Sequence, residues 1–146
     1  MNDLPDQQPV GTIKNVSLEH AGGNRVVEDI GGGRYIFYAH LSPGTIPTGV
    51  REGTRLSPGD LIGRVANSGG SEVPHLHFQL ADSPDGATAA PLPFVFTSQM
   101  LEGRASEDQV ERFLKGNPAA IDRTGAGVRR DQMPARNDVF GYNPSR

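Results

Sequence analysis

The 146-residue sequence contains no cysteine. Disulfides and thiolate metal sites are thereby excluded, so any metal must be held by His, Asp or Glu. The absence says little about compartment, because a core of this size needs no cross-links. No apolar run approaches the roughly 20 residues of a membrane-spanning helix. The opening MNDLPDQQPV lacks a basic start followed by an apolar stretch, so it shows no secretory signal. Charge of one sign is also missing. Fourteen Lys and Arg face seventeen Asp and Glu, for a net charge of −3, and the basic residues are scattered. That pattern offers neither a nucleic-acid footprint nor a polybasic membrane patch. There is no internal repeat and no low-complexity tract.

Glycine (19) and proline (12) are abundant, together about a fifth of the chain. A turn-rich, single-domain β protein follows from that composition and length. Residues 1–10 read as a loop. Strands are predicted at TIKNVSL (12–18), RVVEDI (25–30), RYIFYAHL (34–41) and HLHFQLA (75–81), with turns at GGN (22–24) and GGG (31–33). In VREGTRLSPGDLIGRVANSGG (50–70) short apolar pieces alternate with glycines, as short strands and corners of a closed or sandwiched barrel would. Gly53, Gly59 and Gly63 are expected at the corners. These elements define an antiparallel all-β domain over 11–98. Residues 99–146 read as one short helix and a flexible tail. Ser106 is the expected N-cap, with Gln109 three residues on, and Gly116 the expected stop. Arg, Asn and Pro dominate from 117 onward, with few apolar anchors.

Two of the four histidines fall inside PHLHFQL, the most strand-like apolar segment. Alternation along a strand puts His75, His77 and Gln79 on one face and leaves Leu76, Phe78 and Leu80 for the core. Two imidazoles roughly 6.5–7 Å apart at Cα can serve one site. Imidazole is neutral near pH 7, ligates zinc and carries protons in hydrolysis. The plain alternative is a solvated strand face that carries two histidines. His40 closes the strand YIFYAHL, and pairing of the two strands would bring a third imidazole to the same cleft. His20, beside a glycine turn, reads as a surface residue. Phe37 and Tyr38 read as core or cleft wall, and ANSGGSEVP (66–74) can line a groove.

Taken together, GGNRVVEDIGGGRYIFYAHL, VREGTRLSPGDLIGRVANSGGS and PHLHFQL resemble the lysostaphin-like (LytM-type) zinc metallopeptidases of the beta-lytic metallopeptidase type. The likeness covers about residues 11–81 and rests on several motifs in one order: a G-N-x-V strand, Tyr-x-His-Leu, a V-x-x-G repeat with I-G, a Gly-Ser turn and H-L-H-F. It implies a small antiparallel barrel-sandwich of the duplicated-hybrid-motif type. It also implies a groove in which one zinc ion activates water against a peptide bond, on the peptide cross-links of bacterial cell wall. His77 matches the zinc-ligating histidine, His75 its catalytic neighbour, and His40 the histidine that assists the water or the oxyanion. The family's setting implies the cell envelope or the exterior of a bacterium. Nothing in the sequence bears on oligomeric state.

One departure accompanies the likeness. The family's other two zinc ligands, a His and an Asp near an H-x-x-x-D motif, belong before GTIKNV, where this sequence offers Asp3 and Asp6 but no histidine. Register argues against His20 and Asp29 as substitutes. The expectation is a zinc endopeptidase domain in the form of a fragment whose zinc site is incomplete. In isolation it would bind zinc weakly and not turn over. The alternatives are a degenerate, non-catalytic module that binds wall peptides or regulates another hydrolase, and a site completed by another chain. VREGTRLSPGDLIGRV also resembles biotinyl and lipoyl carrier barrels, but the only lysines, Lys14 and Lys115, do not sit at a hairpin tip.

Overall fold

The computed structural model describes residues 3–7 and 15–141. Its contacts divide the chain into two units, Met1–Pro93 and Phe94–Arg146. Each contains one three-stranded antiparallel sheet, so the chain is mostly β, as its sequence predicts. Among the described residues no helix is long and apolar enough to cross a membrane.

The first sheet runs β1 (Asn24–Asp29), β2 (Tyr35–Leu41) and β3 (His77–Ala81), with β2 in the middle. β1 and β2 form a hairpin. Gly31, Gly32 and Gly33 supply three consecutive positive φ angles at its tip, which side-chain-bearing residues rarely adopt. The Asp29 carboxylate fastens that tip by accepting from the Gly31 N–H at 2.7 Å. β2 is rich in aromatic and branched residues, and Phe37, Ala39 and Leu41 are buried. β3 lies on the far side, pairing Tyr35 with Ala81 through Ala39 with His77. Of the strand expected over 12–18, residues 12–14 lie outside the described residues. Residues 15–17 carry no regular structure, and Leu18–His20 form a 3-10 turn.

Two expectations are corrected here. First, 50–64 contributes turns rather than strands, and no closed barrel forms among the described residues. Gly and Pro interrupt its apolar pieces before any reaches ladder length, and Leu61 stays exposed. Its end meets the sheet only through isolated bridges, Leu41 with Val65 and Ala66 with His75. Second, Leu76 is not core. It is 43 % exposed, while Phe78 and Leu80 are half-buried.

What fills the centre of this unit is largely polar. Asn24, Asn67, Ser68 and Ser71 are all fully buried. Buried polar groups persist where they are hydrogen-bonded, and these are. The Asn24 amide donates to the Leu4 carbonyl at 2.8 Å and accepts from the Leu4 N–H at 2.9 Å. Ser68 Oγ donates to the Leu41 carbonyl at 2.7 Å and accepts from the Asn24 N–H at 3.0 Å. Asn67 is held by Gln7 through a side-chain and a main-chain bond. Two glycines permit this closeness. A Cβ on Gly23 would sit 2.4 Å from the Ser68 carbonyl oxygen, and one on Gly69 would sit 2.3 Å from the Gly23 nitrogen.

The second unit places β4 (Gln99–Arg104) between β5 (Gly127–Arg129) and β6 (Asp138–Gly141). Leu101 is its buried centre. Helix α1 (Glu107–Leu114) begins where predicted, with Ser106 Oγ accepting from the Gln109 N–H at 3.3 Å. Gly116, at φ 73°, follows it. The sequence reading assigns no strand after residue 98 and leaves 117 onward loose. Instead β5 and β6 lie there, three and four residues long, too short to carry a periodic apolar signal.

Candidate active site

Strand alternation alone would keep His40 away from the histidine pair. In β2 the face of Ala39 is the face of His77, because the two are register partners. His40, next along, would then share the opposite face with Tyr38. That face is differently occupied: Tyr38 stacks edge-on with Phe78 at 5.4 Å and its hydroxyl donates to Glu28 at 2.9 Å. Burial and the Glu28 carboxylate push the Tyr38 phenol up to about 12, so it stays neutral there.

A β-bulge changes the parity. Asn24 pairs with Leu41 and Val26 with Tyr38, so Ala39 and His40 together stand opposite Arg25. Bulges re-aim side chains in this way. His40 absorbs the irregularity with a φ of 61°, a left-handed conformation uncommon outside glycine. Its backbone is pinned on both sides. The His40 N–H donates to the Gly22 carbonyl and its own carbonyl accepts from Ala66, each at 3.0 Å.

The three rings now meet. His40 lies 4.7 Å from His75 and 5.8 Å from His77, centroid to centroid. Their candidate ligand nitrogens all fall within 4.8 Å of one another. His40 is 5 % exposed, whereas His75 and His77 are open to solvent. Each ring also has one nitrogen committed to an acceptor. His40 Nδ1 donates to the Ser68 carbonyl at 2.7 Å, and His75 Nδ1 to the Val73 carbonyl at 2.9 Å. His77 Nε2 donates to Gln79 Oε1 at 3.0 Å. A carbonyl oxygen only accepts, so these bonds fix the tautomers. The free lone pairs are Nε2 of His40, Nε2 of His75 and Nδ1 of His77. Burial, the larger effect, and the two neighbouring imidazoles lower the pKa of His40, while its bond to Ser68 opposes them. Its ring is therefore neutral at pH 7.

The segment 66–74 buttresses the rings from behind. Ser68 supplies the carbonyl for His40. Ser71 Oγ lies 3.2 Å from His75 Nδ1 and donates to Asn67 Oδ1 at 2.6 Å. In front, a cleft of about 370 Å³ opens beside His40 and His77, walled by Phe37, Ala39 and Arg25 and rimmed by Gly22, Gly70 and Asp85.

His40, His75 and His77 thus come together as the sequence suggests. The other candidates do not. His20 Nδ1 is engaged with Ser17 Oγ at 3.0 Å, and Asp29 serves the hairpin tip. Asp6 accepts from the Asn67 N–H at 3.2 Å. None of them, nor Asp3, joins the histidine cluster among the described residues. Sequence reasoning missed Arg25 and Asp85 in the cleft wall. Arg25 had a signal, since it directly follows the Gly-Asn turn that opens β1. The Ser68 carbonyl had none, because a main-chain acceptor leaves no residue-type trace.

No curated protein and no solved structure matches the chain. A family model does: that of peptidase family M23 matches residues 9–90, the span that holds the hairpin, the buttress and all three converging rings, and it supports a peptidase-like function. With more than half of its 146 residues inside that match, the chain belongs to peptidase family M23.

Proposed function

We propose that this chain carries the catalytic groove of a zinc-dependent endopeptidase that acts on peptides of the kind that cross-link bacterial cell walls. His77 is a zinc ligand, and His40 and His75 handle the proton and the oxyanion. The observation behind this is the convergence of three imidazoles whose outward nitrogens are held by acceptors and whose lone pairs remain free. Metal-binding histidines are oriented by such partners, so the chemistry of His77 fits a zinc ligand, with one donor where an ordinary site has three. When bound, zinc would supply Lewis acidity toward a peptide carbonyl and a water.

The chain's own residues account for the remaining chemistry. His40, neutral and fixed by Ser68, offers Nε2 to the proton of an attacking water. His75, exposed to solvent, can exchange a proton and return it to the leaving amine. Either ring, once protonated, becomes a donor to the tetrahedral oxyanion. The cleft that opens beside His40 and His77 gives an extended peptide a place against the rings, and glycine-containing substrates are the proposed class. Such substrates place the working protein in the cell envelope or outside the cell.

One matched ligand is fewer than the three of an ordinary catalytic zinc site. Isolated, the 146-residue chain is therefore expected to bind zinc weakly and to show no turnover at stoichiometric metal. The test is a quenched-fluorescence glycine-rich peptide and purified wall material, assayed across a zinc titration to large excess. Cleavage at excess zinc that disappears in His77→Ala supports the proposal. Cleavage unaffected by that change would falsify it.

A second reading, a non-catalytic module that binds wall peptides or regulates another hydrolase, is favoured by one fact. The cluster contains no carboxylate among the described residues. Zinc-independent peptide binding with no cleavage at any zinc concentration would select it.

A further inference from the structure

We infer that Arg25 reads a carboxylate on the peptide lying in the histidine cleft, close to the bond presented to the rings. The inference rests on the peptidase reading above and names a specificity residue for it.

The register fixes where Arg25 stands. Val26 pairs with Tyr38 and Val27 with Phe37, so Arg25 shares its face with Phe37, Ala39 and His77. It is also the residue that faces the bulge holding His40. Its stem lies along the backbone there. A Cβ on Gly22 would sit 3.4 Å from Arg25 Cδ and 3.8 Å from the Ala39 Cβ.

The guanidinium is positioned but not neutralised. Its Nη1 donates to the Glu19 and Gly23 carbonyls at 3.2 and 3.3 Å. No carboxylate pairs with it among the described residues. Asp85, in the same cleft, feels the charge of Arg25 but forms no ion pair with it, and its carboxylate is oriented by its own turn. Oδ1 accepts from the Ala87 N–H and Oδ2 from the Thr88 hydroxyl, each at 3.0 Å. A half-buried guanidinium that is pre-oriented and in no direct ion pair is suited to a planar, bidentate anion. Glu19 and Asp85 line the same cleft and disfavour a dianion such as phosphate more strongly than a single carboxylate. An extended peptide advances about 3.3 Å per residue. Arg25, His40 and His77 line one cleft, so the carboxylate belongs close along the peptide to the bond at the rings. It is either an acidic side chain or a free peptide C-terminus.

The test is fluorescence anisotropy with the full chain, no added zinc and low salt. Four labelled glycine-rich peptides are compared: a free C-terminus, its amide, an amidated peptide with one Glu, and the Gln counterpart. The expected result is at least about tenfold tighter binding of a carboxylate form than of its neutral partner. The difference should shrink with salt, vanish in Arg25→Gln and persist weakly in Arg25→Lys. Which carboxylate form gains identifies the source. Far-UV circular dichroism checks that each variant is folded. If Arg25→Gln is not, the loss of discrimination in Arg25→Lys decides. Equal binding of all four peptides, no binding of any at millimolar concentration, or a preference that survives in folded Arg25→Gln or stays undiminished in folded Arg25→Lys would each overturn the inference. Carboxylate-selective binding without cleavage at excess zinc sinks only the peptidase reading. Cleavage without carboxylate preference sinks only the role of Arg25.

Discussion

At the scale of single residues, the three histidines are unequal, and the differences are measurable. His77 is the proposed ligand, so His77→Ala should weaken zinc binding by tenfold or more, by an order-of-magnitude reading of one lost donor. His40→Ala should leave zinc affinity within about threefold and act on turnover instead. Isothermal titration with zinc separates the two, and equal losses would mean that both rings ligate. His40 also makes stability depend on pH. Its folded pKa lies below the ordinary value of 6.5, so the unfolded chain takes up the proton first as pH falls. Stability is then full above about pH 6.5 and declines as acid is added, until the folded ring protonates too. Urea midpoints at pH 7.5 and pH 5.5 should differ in that direction, and His40→Asn, which tolerates a positive φ, should flatten the difference.

At the scale of elements, the site is made by an interruption. Had β2 run on regularly, His40 would face Glu28 and Tyr38, not the histidine pair. The sequence did not reveal this: it offered the right three rings with an alternation that points one of them the wrong way. Bulges have no residue signature of their own here, since neither Ala39 nor His40 is a glycine. The hairpin and helix α1 were legible because Gly31–Gly33, Ser106 and Gly116 each supply a local conformation that few residues can. The segment 50–64 was over-read, because short apolar pieces between glycines suit turns as well as strands. The contact of Gly23 with the Ser68–Gly69 backbone supports the bulge, and its failure is predictable. Gly23→Ala puts a methyl 2.4 Å from a carbonyl oxygen at a φ of 62°. A loss of about 2–4 kcal/mol is expected from chemical denaturation. A loss below 1 kcal/mol would show that the loop yields easily.

At the scale of the molecule, the two units have separate sheets, one carrying the histidines and the other in the unit that contains α1. Ser106→Ala should cost about 1 kcal/mol through the lost cap. It should leave zinc and peptide binding at the histidines unchanged, and a parallel change in binding would show energetic coupling between the units. Burial in the first unit was the least legible property of all. The apolar pattern promised Leu76, Phe78 and Leu80, whereas the fully enclosed side chains are mainly Asn24, Asn67, Ser68 and Ser71. That composition has a calorimetric consequence. Unfolding exposes amide and hydroxyl surface, which lowers the heat-capacity change, alongside comparatively little hydrocarbon, which raises it. The increment should fall below the usual ~12–15 cal/mol/K per residue, so the free-energy curve against temperature is broad and shallow, and chilling the protein weakens it little.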